Sequence, residues 1–370
     1  MNNIITYAET ALDSFDARPF SDVDSLILSC LSFADIPEEL SDGRTWRGLP
    51  LKELYRAEHF DRLFSVTFAP DRTKQLLTAV AASPRFRDIK VMGYVSKLDE
   101  AQEKQFSAMT FRLAPRLSYI AFRGTDGTVV GWKEDFNMAF RSPIPSQEEA
   151  IRYLTQAGRH CPGDILVGGH SKGGNLAVYA SAFCKESLQL RIRRVYSHDG
   201  PGFLPHVLQN PGMAAILPRV EKTLPQSSVV GLLLEHQEAM KIVKSRGVSL
   251  LQHDPFTWEV EQGDFVPLEQ FTRDARHLDR TLSAWLQTAG PDQRERIVDA
   301  LFGILETTDV RTFTEFRTDW QKTIPAVARE VRHLDADTRA VLFQALKELA
   351  ALSLKTLPKT FKEITGEKQL

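Results

Sequence analysis

The stretch that decides the fold is Asp164-Ile-Leu-Val-Gly-Gly-His-Ser-Lys-Gly-Gly-Asn-Leu-Ala-Val-Tyr-Ala180. Its first part is a short apolar run, and its second part repeats apolar residues at helical spacing. The stretch therefore predicts a strand that turns sharply into a helix. At the turn lies Gly169-His-Ser-Lys-Gly173, which has the pattern Gly-x-Ser-x-Gly. The strand–turn–helix setting gives this pattern its weight, because it holds a serine hydroxyl above the edge of a sheet.

Ser171 is therefore the candidate nucleophile, with Gly169, His170 and Gly173 forming its turn. A hydroxyl at this place has to stand on a strained backbone. Glycines on either side remove the Cβ atoms that would collide where the helix passes the strand. The helix N-terminus adds partial positive charge and free N–H groups. The alternative interpretation is a glycine-rich structural turn with a bystander serine.

Outward from this turn, the sequence predicts an α/β protein with a mostly parallel sheet. Strands are predicted at 88–99, 105–113, 116–122, 164–168, 193–197, 220–224 and 240–245, and helices at 146–160 and 172–185. The first three strands stand at hairpin spacing, which favours an antiparallel start. The later strands alternate with helices, which is typical of right-handed crossovers.

Helical patterns flank this sheet region on both sides. Val23 to Cys30 carry apolar residues at helical spacing after Ser21 or Asp22 as a cap. Beyond residue 265 the strand pattern stops. Apolar positions there repeat on helical faces at 278, 282 and 285, at 297, 301 and 304, and at 341, 345, 349 and 352. We predict an N-terminal helical region at 1–87 packed on the core, a catalytic domain at 88–265 and a helical C-terminal region at 266–370.

Composition narrows the function classes. The 370 residues are 42% hydrophobic and 25% charged, and the net charge is −2. No general field draws such a chain to nucleic acid or to an anionic membrane. Its cysteines, Cys30, Cys161 and Cys184, fit neither a disulfide framework nor a zinc site. No signal peptide is visible, and no run approaches the roughly 18 apolar residues of a membrane span. We expect a cytoplasmic protein that needs no metal or cofactor.

A second motif stands at Arg123-Gly-Thr-Asp126, where a predicted strand ends, and Trp132 and Asp135 follow it. These residues resemble the class 3 (fungal-type) lipases, in which a strand ends in Arg-Gly-Thr/Ser before a Trp-x-x-Asp. The resemblance implies that the Thr125 N–H, helped by its hydroxyl, forms half of an oxyanion hole. The N–H of Lys172 would form the other half. The alternative for Thr125 is a capped turn that only satisfies backbone groups.

Two charged side chains near these motifs are predicted not to contact the substrate. Arg123 is typical of a buried ion pair, for which Asp135 is a candidate partner. The side chain of Lys172 is predicted to be solvated, with contact to an anionic substrate group as the alternative. A lysine in the first turn of a helix opposes the helix dipole.

His253 is the candidate general base. Hydrolases of this kind run serine, acid, histidine along the chain, and His253 follows the last predicted strand within Leu250-Leu-Gln-His-Asp-Pro-Phe-Thr-Trp258. His236 is the rival. It lies in 232–238, which has a helical pattern and favours a surface or packing role.

The acid departs from the class 3 pattern. Those lipases carry it after the strand corresponding to 220–224, where this chain continues as Pro225-Gln-Ser-Ser-Val229 without an aspartate. Asp199 follows the preceding strand instead, which is similar to the placement in pancreatic-type lipases. Asp254 is a poorer candidate, because adjacent side chains on an extended loop point apart.

The resemblance to class 3 lipases covers about residues 88–260. The wider layout also resembles a bacterial α/β-hydrolase-fold family of uncharacterised activity, in its Asp-Gly-Pro-Gly-Phe, Pro-Gln-Ser-Ser and Gln-His-Asp-Pro segments. These resemblances imply the α/β-hydrolase fold and a serine acyl hydrolase that cleaves a carboxylic ester or lipid through Ser171, Asp199 and His253. Alternatives are a non-catalytic binding or scaffold protein, or a thioesterase, acyltransferase or peptidase on the same triad. The apolar segment Phe203–Ala215 is either a lid over an acyl pocket or ordinary packing.

Overall fold

A nine-stranded sheet forms the centre of the computed structural model, within the residues that it describes (2–41, 46–67, 69–276 and 290–306). The strands are β1 (Leu49–Pro50), β2 (Lys90–Asp99), β3 (Lys104–Ala114), β4 (Leu117–Phe122), β5 (Asp164–His170), β6 (Ile192–His198), β7 (Val220–Pro225), β8 (Met240–Val243), β9 (Val260–Glu261), β10 (Asp264–Phe265) and β11 (Pro267–Leu268). The sheet order is β1-β2-β3-β4-β5-β6-β7-β8-β11, while β9 and β10 pair separately as an antiparallel hairpin.

The direction of pairing changes at β4. Neighbours from β1 to β4 are antiparallel, and neighbours from β4 to β8 are parallel. This confirms the antiparallel start and the parallel continuation that the sequence predicts. The short strand β11 adds an antiparallel edge on β8, just beyond the point where the predicted strands stop.

The helices are α1 (Ile4–Thr10), α2 (Asp22–Leu31), α3 (Glu38–Ser41), α4 (Phe60–Leu63), α5 (Pro70–Ala82), α6 (Val129–Asn137), α7 (Pro145–His160), α8 (Lys172–Phe183), α9 (Glu186–Gln189), α10 (Pro205–Leu208), α11 (Pro211–Ile216) and α12 (Pro291–Glu306). Short 3₁₀ turns lie at Leu51–Leu54, Ala57–His59, Leu217–Arg219, Val230–Leu232, Ser249–His253 and Pro255–Thr257. The predicted helix over Val23–Cys30 is confirmed as α2, and Ser21 is its N-cap.

The two faces of the sheet carry different helices. Successive strand residues point to opposite faces, so Tyr119 and Tyr196 lie in one apolar cluster with α1, α2 and α5. Ile120 and Val195 lie in another cluster with α7, α8 and α11. A mostly parallel sheet covered on both faces, with a serine turn after β5, is the α/β-hydrolase fold.

A buried ion pair fastens the N-terminal helices. Asp24 completes a capping box with Ser21 and also binds Arg85 at 2.6 Å, and the side chains of Asp24 and Arg85 are fully buried. The Arg85 guanidinium donates further to the backbone carbonyls of Asp13 and Arg18. These contacts hold α2 against the segment that follows α5.

The chain divides into two compact units, Met1–Thr288 and Ala289–Leu370. In the second unit, α12 confirms the helix predicted around 297–304. The helical patterns predicted around 278–285 and 341–352 lie outside the described residues. The division of the first unit at residues 87 and 265 stays a prediction. Within the described ranges, no helix is both long and apolar enough to cross a lipid bilayer.

Candidate active site

Ser171 occupies a sharp turn between β5 and α8. Its backbone is left-handed, with φ 60° and ψ −134°, and it is the N-cap of α8. The Ser171 N–H donates to the carbonyl of His198 on β6 at 2.9 Å, which ties the turn to the neighbouring strand. A non-glycine residue with positive φ is strained, and such strain concentrates at functional sites. The residue is 9% exposed, so it is covered by neighbours without being fully enclosed.

The glycines of the turn permit a very close approach. A Cβ on Gly173 would lie 2.1 Å from the carbonyl oxygen of Phe122, at the end of β4. A Cβ on Gly169 would lie 2.3 Å from the carbonyl carbon of Gly173. Backbone atoms at such distances leave no room for a side chain. The start of α8 can therefore cross the strand ends only because these residues are glycines.

Asp199 and His253 meet at the same edge of the sheet. The Nδ1 atom of His253 lies 2.7 Å from Oδ2 of Asp199. Asp199 is fully buried, with a left-handed φ of 50°, directly after β6. His253 ends the 3₁₀ turn that follows β8, and 28% of its side chain is exposed. Since the carboxylate accepts, Nδ1 carries the proton, which leaves Nε2 to accept one.

His170 connects this imidazole to the serine turn. Its Nε2 lies 2.9 Å from the carbonyl oxygen of His253, so Nε2–H donates there. The two rings are 4.6 Å apart between centroids. Burial, together with the nearby His253 and His198, holds the pKa of His170 well below its usual range. Neutral His170, which directly precedes Ser171, therefore holds the His253 loop beside the serine turn.

Ser228 is a site residue that the sequence reasoning missed. Its hydroxyl donates to Oδ1 of Asp199 at 2.5 Å, so the carboxylate accepts one hydrogen bond on each oxygen. Gly231 leaves room for this contact, since a Cβ there would lie 2.3 Å from Asp199 Oδ1. The signal was the Pro-Gln-Ser-Ser segment, where class 3 lipases carry their acid. In this chain the same loop supplies the hydroxyl that binds the Asp199 carboxylate, which follows the preceding strand.

The rival acid has other partners. Asp254 accepts from Arg72 of α5 at 2.8 Å and from the backbone N–H of Phe256 at 3.0 Å. The N-terminal segment holds the same loop at further points. Asn3 donates from Nδ2 to the carbonyl of Phe256 at 2.9 Å, and Val260 donates to the carbonyl of Asn2 at 3.1 Å. These contacts brace the loop of His253 from outside the central sheet.

The rival histidine lies in a separate buried cluster. Nδ1 of His236 is 2.7 Å from Nζ of Lys222, which also pairs with Glu238 at 3.0 Å. The helix predicted over 232–238 is wrong. The backbone of Glu235 instead forms an extended bridge with Phe203, which uses its N–H and its carbonyl outside any helix. The packing role predicted for His236 agrees with these contacts.

The turn after β4 lies against the serine turn. A Cβ on Gly124 would be 2.7 Å from the carbonyl oxygen of His170 and 3.1 Å from Cβ of Ser171. The neighbouring Thr125 is buried, and its hydroxyl donates to Oδ2 of Asp135 on α6. Burial raises the pKa of Asp135 to about 6, and the charge of Lys172 opposes this rise. Above a pH of about 6, the ionised Asp135 carboxylate therefore accepts the hydrogen bond of the Thr125 hydroxyl.

Of the two predictions about charged side chains near the site, one is confirmed except for its partner and the other is wrong. Arg123 is buried as predicted, but its ion-pair partner is Asp126, at 3.3 Å, and not Asp135. The Asp135 carboxylate is instead occupied by Thr125. The Lys172 side chain is fully buried and not solvated, because it pairs with Glu134 at 3.0 Å. The attraction of the Glu134 carboxylate, which is in direct contact, outweighs the unfavourable interaction of the Lys172 cation with the helix dipole.

The segment Phe203–Ala215 forms α10 and α11. Phe203, Val207 and Met213 are buried in the cluster that contains α8. A Cβ on Gly212 would lie 2.0 Å from the carbonyl oxygen of Ala182, so α11 touches the end of α8 directly. These contacts favour the packing interpretation over the lid.

Comparison with known proteins found several similar solved structures. Similar solved structures include a fungal lipase in complex with an inhibitor (17% identity, 66% of this chain and 79% of that chain covered, TM-score 0.36). They also include the Rhizomucor miehei lipase with its propeptide (16%, 68% and 76%, 0.34) and a triacylglycerol lipase from Penicillium expansum (12%, 55% and 80%, 0.33). The search of curated proteins found no match.

One family model matches residues 80–303, and its description is Mbeg1-like. The match includes the Arg123–Asp126 motif, the serine turn and the loops that carry Asp199 and His253. Because it spans more than half of the chain, this protein belongs to the Mbeg1-like family.

Proposed function

We propose that this protein is a serine acyl hydrolase that cleaves a carboxylic ester through an acyl-enzyme. The observation that carries the proposal is the 2.7 Å contact between His253 Nδ1 and the buried Asp199 carboxylate, beside the strained turn of Ser171. An oriented imidazole next to a serine at a helix N-terminus is the arrangement that activates a hydroxyl as a nucleophile.

In the proposed reaction, the Ser171 oxygen attacks the acyl carbonyl while its proton passes to Nε2 of His253. Asp199 keeps Nδ1 protonated and stabilises the imidazolium that forms. The backbone N–H groups of Thr125 and Lys172 hold the developing oxyanion. His253 then returns the proton to the leaving alcohol, and a water molecule, activated in the same way, releases the acid.

The hydroxyl contact of Thr125 bears on the role that we propose for this residue. The resemblance to class 3 lipases implies that its hydroxyl assists the backbone N–H at the oxyanion. In the folded protein that hydroxyl donates to Asp135, so its single proton is already used when Asp135 is ionised. We therefore assign the oxyanion contact of this residue to the backbone N–H, and assign the hydroxyl to fixing the turn.

Labelling with a fluorophosphonate tests the proposal. The wild type should label at one serine and hydrolyse p-nitrophenyl esters, and Ser171→Ala should do neither. Ser181→Ala is a matched control, because Ser181 lies on the same helix and is buried with its hydroxyl bound to the carbonyl of Ala177. Labelling that survives Ser171→Ala would place the nucleophile elsewhere, and absence of wild-type labelling would remove the proposal. A panel of esters of graded acyl length, with matching thioesters, identifies the substrate class.

A further inference from the structure

Lys172, the residue after the proposed nucleophile, carries a side chain buried in a closed polar cluster. Its ammonium lies 2.9 Å from the carbonyl oxygen of Gln105, 3.0 Å from Oε1 of Gln105 and 3.0 Å from Oε2 of Glu134. An ammonium has three protons, and these three acceptors use them. The charge is therefore fully engaged inside the protein and is not available to a substrate.

Glu134 is the centre of this cluster. Its side chain is fully buried as well. Besides Lys172, it accepts from the backbone N–H of Gln105 at 3.0 Å, from the N–H of Ser146 at 2.9 Å and from the Ser146 hydroxyl at 2.7 Å. These partners lie on β3, α7 and α8, while Glu134 lies on α6. One carboxylate thus fixes α6 against three other elements.

The same helix holds the Thr125 turn. Asp135, next to Glu134 on α6, accepts the Thr125 hydroxyl, and its other oxygen is 3.7 Å from the Lys172 ammonium. Gly131 on α6 also touches Thr125, since a Cβ there would be 2.9 Å from Thr125 Cγ2. Thr125 is therefore fastened to α6, and α6 is fastened to the side chain of Lys172.

From this connection we infer that Lys172 and Glu134 are positioning residues, whose ion pair sets the separation of the two backbone N–H groups that receive the oxyanion. Lys172 provides one of these groups and, through Glu134 and α6, holds the turn that provides the other. The inference rests on the proposed function. A buried ion pair adds little net stability, because desolvation offsets its attraction. Oxyanion donors, in contrast, act only when their geometry is fixed in advance.

Three variants test the inference. Glu134→Gln keeps the shape of the side chain and removes its charge, Lys172→Met removes the ammonium, and the double variant leaves neither charge unpaired. Misplaced donors affect the transition state, so we expect kcat to fall by about 100-fold in each variant. KM should remain near the wild-type value, because ground-state binding does not use these donors. Affinity for an alkylboronic acid, which forms a tetrahedral anion on the serine, should fall in parallel with kcat.

A matched control separates position from stability. Asp24→Asn breaks the equally buried pair with Arg85, and it should lower stability while leaving kcat per folded molecule unchanged. Thermal unfolding gives the folded fraction, and fluorophosphonate titration counts reactive serines. If a single variant fails to fold, the double variant carries the test.

Each remaining result overturns a defined statement. Folded variants that keep the wild-type kcat and boronate affinity would overturn the positioning role alone. An equal loss of kcat in Asp24→Asn would reduce the effect to general destabilisation and overturn it too. A wild-type protein that does not label with the fluorophosphonate would remove the proposed function and this inference with it.

Discussion

At the scale of single residues, the site is defined by what each polar group touches. Asp199 accepts hydrogen bonds from His253 and Ser228, one on each carboxylate oxygen. Asp254, which directly follows His253 in its loop, binds Arg72 instead. The sequence offers two aspartates as candidate partners of His253, and in the structure the two bind different side chains.

This difference predicts the effect of neutralising each aspartate. Asp199→Asn should lower kcat by about 10⁴-fold, because an amide at this place favours the wrong imidazole tautomer. Asp254→Asn should change kcat little, because Asp254 binds Arg72 instead. The Asp254–Arg72 pair is partly exposed, and such pairs contribute at most about 1 kcal/mol to stability. Steady-state kinetics on a p-nitrophenyl ester measure both. Equal losses in the two variants would contradict the assignment of the acid.

The residue scale also shows where sequence reasoning stops. The proximity of Asp199 and His253 could be predicted from the order of strands and loops, since the fold places such loops at one edge of the sheet. The contacts of Ser228 and the burial of Lys172 could not be selected. Both depend on which loop or helix arrives from another part of the chain, and no local pattern records that. Asp135 was a candidate partner for Arg123, and only the packed turn shows that Asp135 binds Thr125 while Arg123 pairs with Asp126.

At the scale of elements, the crossing of α8 over the end of β4 decides whether the site can form. The strand and helix of this region follow from an apolar run and a helical repeat, so they were predictable. The crossing itself rests on glycines, where the carbonyl of Phe122 occupies the place of a side chain. The helix predicted at 232–238 shows the opposite case, in which an extended bridge to Phe203 overrides a local helical pattern.

The crossing predicts a large penalty for one methyl group. Gly173→Ala should lower the free energy of unfolding by about 3 kcal/mol or more, because overpacking against backbone cannot be relieved by rotating a side chain. Gly127→Ala is the control, since a Cβ there meets no atom within 4 Å. Urea unfolding of both variants gives the comparison. A Gly173→Ala protein as stable as Gly127→Ala would be inconsistent with the close crossing.

At the scale of the whole molecule, buried histidines make stability depend on pH. His198 is fully buried, with Nε2 2.9 Å from the Ser25 hydroxyl, and burial lowers its pKa to about 3. In the unfolded chain a histidine has a pKa of about 6.5. Between these values the unfolded state binds a proton that the folded state does not, so stability falls as pH falls through this window. His170 acts in the same direction.

Replacing His198 should therefore flatten the pH dependence. His198→Gln should reduce the slope of unfolding free energy against pH, to which one such group contributes at most about 1.4 kcal/mol per pH unit. His206→Gln, at an exposed position on α10, should retain the wild-type slope. Urea unfolding at several pH values between the two pKa values measures this. An unchanged slope in His198→Gln would contradict the buried neutral state of that histidine.

The brace between the N-terminal segment and the His253 loop has a consequence for biogenesis. Asn3 and Phe256 are separated by 253 positions in the chain, and contacts of such long range form late, because they close the largest loops. During synthesis, the N-terminal segment cannot contact this loop until Phe256 has left the ribosome. Until this loop has been made and packed, a nascent chain holds its serine turn without the oriented imidazole that the proposed function requires.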